Sequence, residues 1–286
     1  MTDKLSEVLE HLETEPLTTG HTFTEGPVWH PDGYFLFTDV PNIYRLDVDT
    51  GNLTTIRSSD AGSNGMTLDL QGWLVICDGL HRRVTRMEPD GTITTVAGSY
   101  QGRQLNRPND VVFRSDGTMY FTDPGAWAYH APAVDLFKNF VYGVTPDGQV
   151  FQAAPFDYPN GLAFSPDESI LYVANTRYHK HISAYDVQPD GALTNHRVFA
   201  ELPQNGEQGV PDGVKVDVEG HVYCTGPGGL WVFEPSGEFM GKIRLPELPA
   251  NLGWGDADNQ TLYVTARTSV YRMRMKVPGT RMPSAL

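Results

Sequence analysis

The stretch NDVVFRSDGTMYFTDP, residues 109–124, contains the pattern that decides the fold. A short apolar run precedes the tight-turn sequence Asp116-Gly117, and a second apolar run follows it and ends in Asp123. Apolar runs on both sides of an Asp-Gly turn predict an antiparallel β-hairpin. Repetition of such a unit along a chain is the signature of a repeat fold.

Five other segments repeat this pattern. They are EGPVWHPDGYFLFTDV, NGMTLDLQGWLVICDG, NGLAFSPDESILYVAN, DGVKVDVEGHVYCTG and LGWGDADNQTLYVTA, which begin at Glu25, Asn64, Asn160, Asp212 and Leu252. When the six units are aligned on their second residues, they lie 39, 45, 51, 52 and 40 residues apart. A second hairpin follows in each of the first five units, as in VYGVTPDGQVF (141–151). Four antiparallel strands in roughly every 40–50 residues predict an all-β chain folded as a six-bladed β-propeller.

The last unit lacks one strand, since only SVYRMRM (269–275) follows its hairpin. Leu17-Thr18-Thr19 near the N-terminus resembles Leu53-Thr54-Thr55 and Ile93-Thr94-Thr95, the predicted fourth strands of the first two blades. We therefore predict that an N-terminal outer strand completes the last blade and closes the ring, which removes exposed strand edges. A two-sheet sandwich with coincidental spacing is the alternative.

The predicted domain organisation has three parts. Residues 1–16 form an N-terminal extension with a short helix from Leu5 to Leu12, residues 17–277 form a single propeller domain, and residues 278–286 form a C-terminal tail. The 286-residue length agrees with one all-β domain of this size.

Composition limits the partners and the compartment. A formal net charge of −14 argues against nucleic acid and against anionic membrane surfaces as partners. No run of 18 apolar residues predicts a membrane span, and the opening MTDKLSEVLEHLETEP is too charged for a signal peptide. Cys77 and Cys224 are the only cysteines, so no disulfide framework is expected. These features predict a cytoplasmic protein and leave its oligomeric state open.

The first residue of each unit forms a repeating polar position. Five of the six residues there carry side-chain oxygens, the sixth being Leu252: Glu25, Asn64, Asn109, Asn160 and Asp212. Each begins an innermost strand, so all five should face the channel axis at one depth. Asn and Asp before glycine also form turns, which is the alternative interpretation of each residue alone. Converging carboxylates and amides predict a divalent cation site, with Ca²⁺ favoured and Mn²⁺, Zn²⁺ or Fe²⁺ as alternatives.

The loops differ between the two ends of the predicted ring. Tight turns such as HPDG (30–33) fall at one end, and the long loops fall at the other: 98–109, 124–139, 176–181 and 203–212. Binding sites usually lie among long loops, so we place the active site at that end. Trp127, with Tyr129 and His130, is predicted to form a lid over the mouth of the channel that offers a bound ligand an apolar surface. A passive insertion is the alternative for this loop.

Several motifs in order resemble the gluconolactonase / senescence-marker-protein / luciferin-regenerating-enzyme family of calcium-dependent six-bladed propellers. The motifs run from about Thr24 to Met275 and include TEGPVW (24–29), NRPNDVVFRSDG (106–117), PNGLAFSPDE (159–168) and VPDGVKVD (210–217). The resemblance implies that Glu25, Asn160 and Asp212 are metal ligands. It also implies that Asn109 is a further ligand or a substrate contact, and that Arg107 binds substrate oxygens.

The predicted function is metal-dependent hydrolysis of small lactones, most of all sugar (aldono) lactones such as gluconolactone. The metal would polarise the carbonyl group, Asp212 would activate or orient water, and Arg107, Asn109 and Trp127 would bind substrate. The alternatives are a metal-dependent esterase or phosphotriesterase on the same fold, or a non-enzymatic scaffold with a structural ion. A second acidic layer is predicted at the ends of the second strands: Asp39, Asp78, Asp123 and Asn175.

Overall fold

The structure, a computed structural model, describes residues 4–11, 13–125 and 138–283. Trp127 and the predicted lid built on Tyr129 and His130 lie outside the described residues. Within the described chain, six four-stranded antiparallel sheets form the six blades of a propeller. The predicted fold class is therefore confirmed.

The strands are numbered along the chain. The N-terminal part contains the helix α1 (Leu5–Val8) and the strand β1 (Glu15–Thr19). Blade one contains β2 (Thr24–His30), β3 (Tyr34–Asp39), β4 (Asn42–Leu46) and β5 (Leu53–Ser58). Blade two contains β6 (Ser63–Leu68), β7 (Leu74–Asp78), β8 (Arg83–Met87) and β9 (Ile93–Ala97). A small hairpin, β10 (Ser99–Tyr100) and β11 (Arg103–Gln104), precedes the third blade.

The remaining blades follow the same plan. Blade three contains β12 (Val111–Phe113), β13 (Met119–Asp123), β14 (Asn139–Val144) and β15 (Val150–Phe156). Blade four contains β16 (Pro159–Phe164), β17 (Ile170–Asn175), β18 (His181–Val187) and β19 (Leu193–Glu201). Blade five contains β20 (Val214–Val216), β21 (Val222–Gly226), β22 (Gly229–Phe233) and β23 (Phe239–Ile243). Blade six has β24 (Asn251–Gly255), β25 (Thr261–Ala266) and β26 (Ser269–Arg274).

The N-terminal strand closes the ring. β1 pairs antiparallel with β26, with Thr18 opposite Val270 and Thr19 opposite Ser269, so blade six also has four strands. The predicted closure by Leu17-Thr18-Thr19 is confirmed, and the strand begins two residues earlier than those three. The first strands of the six blades touch in a closed circle, β2 to β6, β12, β16, β20, β24 and back to β2. The start of each of these strands therefore faces one central channel.

Turn glycines explain where the inner hairpins bend. Gly33 and Gly117 have φ angles of +86° and +89°, a region that favours glycine. Their N–H groups donate to the carbonyl groups of His30 and Arg114, at 2.9 Å in both cases. These tight turns lie at the end of the channel opposite the long loops.

The apolar core lies between the blades. Each of six buried clusters combines side chains from two neighbouring blades; Phe121 of blade three, for example, packs with Val84 of blade two. Leu5 and Val8 of α1 join the cluster between blades five and six. Cys77 and Cys224 are buried, unpaired and in different clusters. No helix among the described residues is long and apolar enough to cross a membrane.

Candidate active site

Close approach of the inner strands brings the polar residues together. The N–H groups of Gly65 and Gly161 donate to the carbonyl groups of Asn109 and Asp212 in the next blade, at 2.8 and 2.9 Å. A Cβ atom added at Gly161 would lie 2.3 Å from the Asp212 carbonyl oxygen, so only glycine fits there. The residue before each of these glycines is thus drawn towards the axis.

A cavity of about 320 Å³ opens at the loop-rich end, and we call it the mouth cavity. Six residues predicted from the sequence line it together: Glu25, Asn64, Arg107, Asn109, Asn160 and Asp212. The other end of the channel has a cavity of about 350 Å³, lined largely by apolar side chains such as Val28, Met66 and Leu162. None of the six predicted residues lines that second cavity, so the mouth cavity is the candidate site.

The alignment of blade six was wrong by two residues. Gly213 donates to the Ala250 carbonyl at 2.9 Å, as Gly161 donates to that of Asp212, so Ala250 occupies the repeating polar position. Asn251 then stands where four other blades have glycine, and Leu252 is buried in the core. The sequence Gly253-Trp254 resembles the start of a unit. The two-residue error in the alignment is seen only from the strand pairing in the structure.

Glu25 is held by two hydrogen bonds. Its Oε2 atom accepts from the N–H of Gly26 at 2.7 Å and from Nδ2 of Asn251 at 3.0 Å. Burial raises the pKa of Glu25 to about 7, the charge of Asp110 adds to the rise, and the Gly26 N–H opposes it. A carboxylate in this position is stabilised by a positive charge beside it.

Asp212 lies in the same electrostatic environment. Burial, together with the negative charges of Glu25 and Asp110, raises its pKa well above the ordinary range, and a hydrogen bond from Asn160 opposes the rise. Asn160 is fixed in turn, because its Nδ2 donates to Thr176 Oγ1 at 3.0 Å and Thr176 Oγ1 donates to the Pro211 carbonyl at 2.8 Å. The carbonyl oxygen of the Asn160 amide is thereby left for the cavity.

A second polar layer lies beneath the ring. Asp110 Oδ1 accepts from the N–H of Val111 at 2.9 Å, whereas its buried Oδ2 has no hydrogen-bond partner. The ammonium group of Lys215 lies 3.9 Å from that Oδ2 and donates to the Val214 carbonyl at 3.1 Å. Lys215 is therefore a fixed positive charge below the two ring carboxylates. The roles of Asn251, Asp110 and Lys215 were not predicted from the sequence; the one signal was Asp110, a carboxylate at a position where four other blades have glycine.

Asp123 holds the backbone at Arg107. The buried carboxylate accepts from the backbone N–H groups of Asn106 and Arg107, at 2.8 and 2.6 Å. Burial raises the pKa of Asp123 to about 7, and these two N–H groups oppose the rise. A Cβ atom at Gly79 would lie 3.1 Å from Arg107 Cγ, so the missing side chain gives the arginine room. Among the described residues lining the mouth cavity, Arg107 is the one cationic residue.

In the structure, the side chains of the predicted second acidic layer hold loops and neighbouring strands in place. Asp39 Oδ1 accepts from the N–H groups of Thr22 and Phe23, at 3.1 and 2.9 Å. Asp78 is paired with Arg57 at 2.8 Å. Asn175 accepts from the N–H of Tyr158 at 3.0 Å. Asp39 also lines the mouth cavity, and Asp78, Asp123 and Asn175 are absent from its lining.

The donor set determines which cation would fit. Within residues 4–11, 13–125 and 138–283, no group of three or more His, Cys, Asp and Glu side chains is arranged to hold a metal. A cation at the mouth would therefore need the amide oxygens of Asn109 and Asn160 beside the carboxylates of Glu25 and Asp212. Such an all-oxygen set suits a hard divalent cation, and the raised pKa values of both carboxyl groups show that a positive charge is favourable there. The residues therefore fit such an ion.

Fold and site together define a six-bladed propeller with a polar small-molecule site at one mouth of its channel. The sequence model of the family described as the SMP-30/gluconolactonase/LRE-like region matches residues 23–268 of this chain. The chain belongs to this family, as the motifs predicted.

Individual relatives agree with the family. A gluconolactonase from Zymomonas mobilis is 33% identical, in an alignment that covers 93% of this chain and 82% of that protein. The solved structure of a gluconolactonase from Xanthomonas campestris superposes with a TM-score of 0.89 at 31% identity, covering 96% of this chain and 93% of that one. A diisopropyl-fluorophosphatase from Loligo vulgaris is 28% identical, covering 88% of this chain and 89% of that protein.

Proposed function

We propose that the protein is a metal-dependent lactonase that opens small lactones in the mouth cavity, with sugar lactones such as gluconolactone as the leading substrates. The observation that carries this proposal is the joint lining of one cavity by Glu25, Asn109, Asn160, Asp212 and Arg107. The similarity to gluconolactonases over nearly the whole chain supports the choice of lactones.

The metal proposed is one divalent cation, with Ca²⁺ first and Mn²⁺, Zn²⁺ or Fe²⁺ as alternatives. Glu25, Asn160 and Asp212 would hold it, with Asn109 as a further ligand. When bound, such an ion polarises a substrate carbonyl group and lowers the pKa of water. Asn251 would keep Glu25 in place through its hydrogen bond to Oε2.

The protein's own residues then have separate roles. Water adds to the lactone carbonyl carbon, the ring C–O bond breaks, and the product is a hydroxy acid. Asp212 would orient the attacking water or accept its proton, which then passes to the ring oxygen as the C–O bond breaks, and a cation bound beside it would keep its carboxyl group ionised. Arg107 and the Asn109 amide donate hydrogen bonds to the oxygens of the substrate, including the carbonyl oxygen as it gains negative charge.

The variant Asp212→Asn tests this assignment. We expect kcat/KM for gluconolactone to fall by about 10²–10⁴-fold, the range for loss of a general base. Asp190→Asn is the matched control and should behave as the wild type, because Asp190 lies in an exposed turn of blade four and does not line the mouth cavity. Metal content is measured on both variants. Unchanged turnover in a metal-loaded Asp212→Asn protein would refute the role of Asp212.

A phosphotriesterase is the second candidate, because the fluorophosphatase relative covers most of the chain. A panel of aldonolactones, simple esters and a fluorophosphate distinguishes the chemistries. Hydrolysis of the fluorophosphate without hydrolysis of any lactone would favour this second candidate. A protein that binds metal and hydrolyses nothing in the panel would favour the scaffold alternative.

A further inference from the structure

Three large apolar side chains are exposed at the mouth cavity. Phe23, Val40 and Leu80 have exposed fractions of 50%, 49% and 54%, and all three line this cavity. They follow or precede the inner hairpins of blades one and two. Exposed apolar side chains that cluster in a cavity usually mark a ligand-binding surface. We call these three residues the apolar wall.

The loop that carries Phe23 is anchored. The buried carboxylate of Asp39 accepts from the Phe23 N–H at 2.9 Å and from the Thr22 N–H at 3.1 Å. His21 Nδ1 lies 3.2 Å from the same carboxylate. A buried charged group therefore holds an exposed phenyl ring at the mouth, so the ring is presented in an ordered loop.

Leu80 is anchored in a different way. Its N–H donates to the Ala61 carbonyl at 2.8 Å, and the preceding Gly79 donates to the Gly62 carbonyl at 3.1 Å. A Cβ atom at Gly62 would lie 2.5 Å from Leu80 Cγ, so the leucine packs directly on the Gly62 backbone. Backbone contacts thus set the position of this side chain as well.

The wall lies on the side of the ring opposite Asn160 and Asp212. It comes from blades one and two, which also supply Glu25 and Asn64, whereas Arg107 and Asn109 lead into blade three and Asn160 and Asp212 begin blades four and five. A molecule that fills this cavity therefore meets exposed hydrocarbon on the side of blades one and two, and polar groups face that hydrocarbon from blades three to five. A fully hydroxylated sugar lactone would leave the hydrocarbon side unmatched.

We propose that the same site also hydrolyses lactones whose ring carries an apolar alkyl or aryl substituent, and that Phe23, Val40 and Leu80 bind this substituent. The inference rests on the proposed lactonase function, whose chemistry is unchanged: water adds to the carbonyl carbon and the ring C–O bond breaks. The wall adds a second substrate class, because burying each CH₂ group of an alkyl arm stabilises the complex by about 0.8 kcal/mol, close to fourfold in binding.

The test compares three δ-lactones: gluconolactone, unsubstituted δ-valerolactone, and δ-decalactone, which carries a pentyl arm. Each rate is divided by the rate of hydroxide-catalysed hydrolysis, so that intrinsic reactivity cancels. We expect the wild type to show a kcat/KM at least about tenfold higher for δ-decalactone than for δ-valerolactone. Phe23→Ser and Leu80→Ser should each reduce this ratio several-fold, while kcat/KM for gluconolactone stays within about twofold.

Val218→Ser is the matched control. Val218 is 49% exposed and does not line the mouth cavity, so its substitution should leave all three rates unchanged. Equal kcat/KM values for δ-decalactone and δ-valerolactone in the wild type would overturn the inference. So would an equal loss of kcat/KM on all three lactones in Phe23→Ser and Leu80→Ser. If no lactone at all is hydrolysed, the proposed function fails instead, so the two failures are distinguishable.

Discussion

At the residue scale, the site depends on the hydrogen bonds and neighbouring charges of each buried carboxylate. Glu25 is held by the Gly26 N–H and the Asn251 amide, and Asp110 lies beside Lys215 beneath it. Sequence spacing predicted Glu25 because it begins a repeat unit. It could not predict Asn251, since the contact between them joins the first and last blades across 226 residues of sequence.

Asn251 is predicted to position Glu25 for metal binding. Replacing it with Leu removes the hydrogen bond to Oε2, so we expect metal affinity to fall by about 10–100-fold, the usual effect of losing a group that orients a ligand. Turnover at saturating metal should largely recover, because Asn251 does not line the mouth cavity. The measurement is turnover against free metal concentration. Asn52→Leu, in an exposed turn of blade one, is the control. Equal metal affinity in Asn251→Leu and wild type would contradict the assignment.

At the scale of elements, strand pairing explains both what the sequence predicted and what it did not. The Leu-Thr-Thr similarity identified β1 as the missing outer strand because outer strands share one exposed pattern. The alignment of blade six failed because Gly253 imitates the glycine that other blades place at the axis. Hydrogen bonds from Gly213 to Ala250 reveal the true register, and such contacts between blades leave no spacing signal.

Ring closure by β1 gives a prediction for the N-terminus. Removal of residues 1–19 exposes the edge of β26 and takes Leu5 and Val8 out of the core between blades five and six. We expect Tm to fall by at least about 10 °C, since burial of each such side chain contributes roughly 1.5–3 kcal/mol. Scanning calorimetry measures the change, and a peptide of residues 4–21 added in trans should restore much of it. An unchanged Tm in the truncated protein would show that closure contributes little.

At the scale of the whole molecule, the channel collects negative charge at one end. The chain carries a net charge of −14, and near the axis the charge of Asp110 raises the pKa of Glu25, while the charges of Glu25 and Asp110 raise the pKa of Asp212. The closed propeller forces this proximity, because six inner strands must meet around one channel. The sequence predicted the convergence from the repeat, whereas the apolar wall on one side of the mouth depends on loop positions that no repeat encodes.

The raised pKa of Glu25 makes metal-dependent stability vary with pH. In the metal-free protein its pKa is about 7, so the folded state holds a proton that the unfolded chain releases near pH 4.5. Stability of the metal-free protein therefore falls as pH rises from about 4.5 to 7, by about 3 kcal/mol from this group. A divalent cation binds the ionised form and removes this loss.

The corresponding measurement is the difference in Tm between Ca²⁺-loaded and chelated protein. We expect the difference to be small at pH 5 and to grow up to about pH 8. Glu25→Gln, which cannot ionise, should show a smaller dependence of the chelated Tm on pH in the same window. A difference that is constant with pH would argue that the cation binds elsewhere.

The proposed lactonase needs one divalent ion at the mouth cavity. The most direct test is acid release from gluconolactone by chelated protein as Ca²⁺ is added back, with bound metal counted in parallel. We predict no turnover without metal and full turnover at one ion per chain. Full turnover by protein that holds no metal, or metal binding that leaves lactone hydrolysis absent, would contradict it.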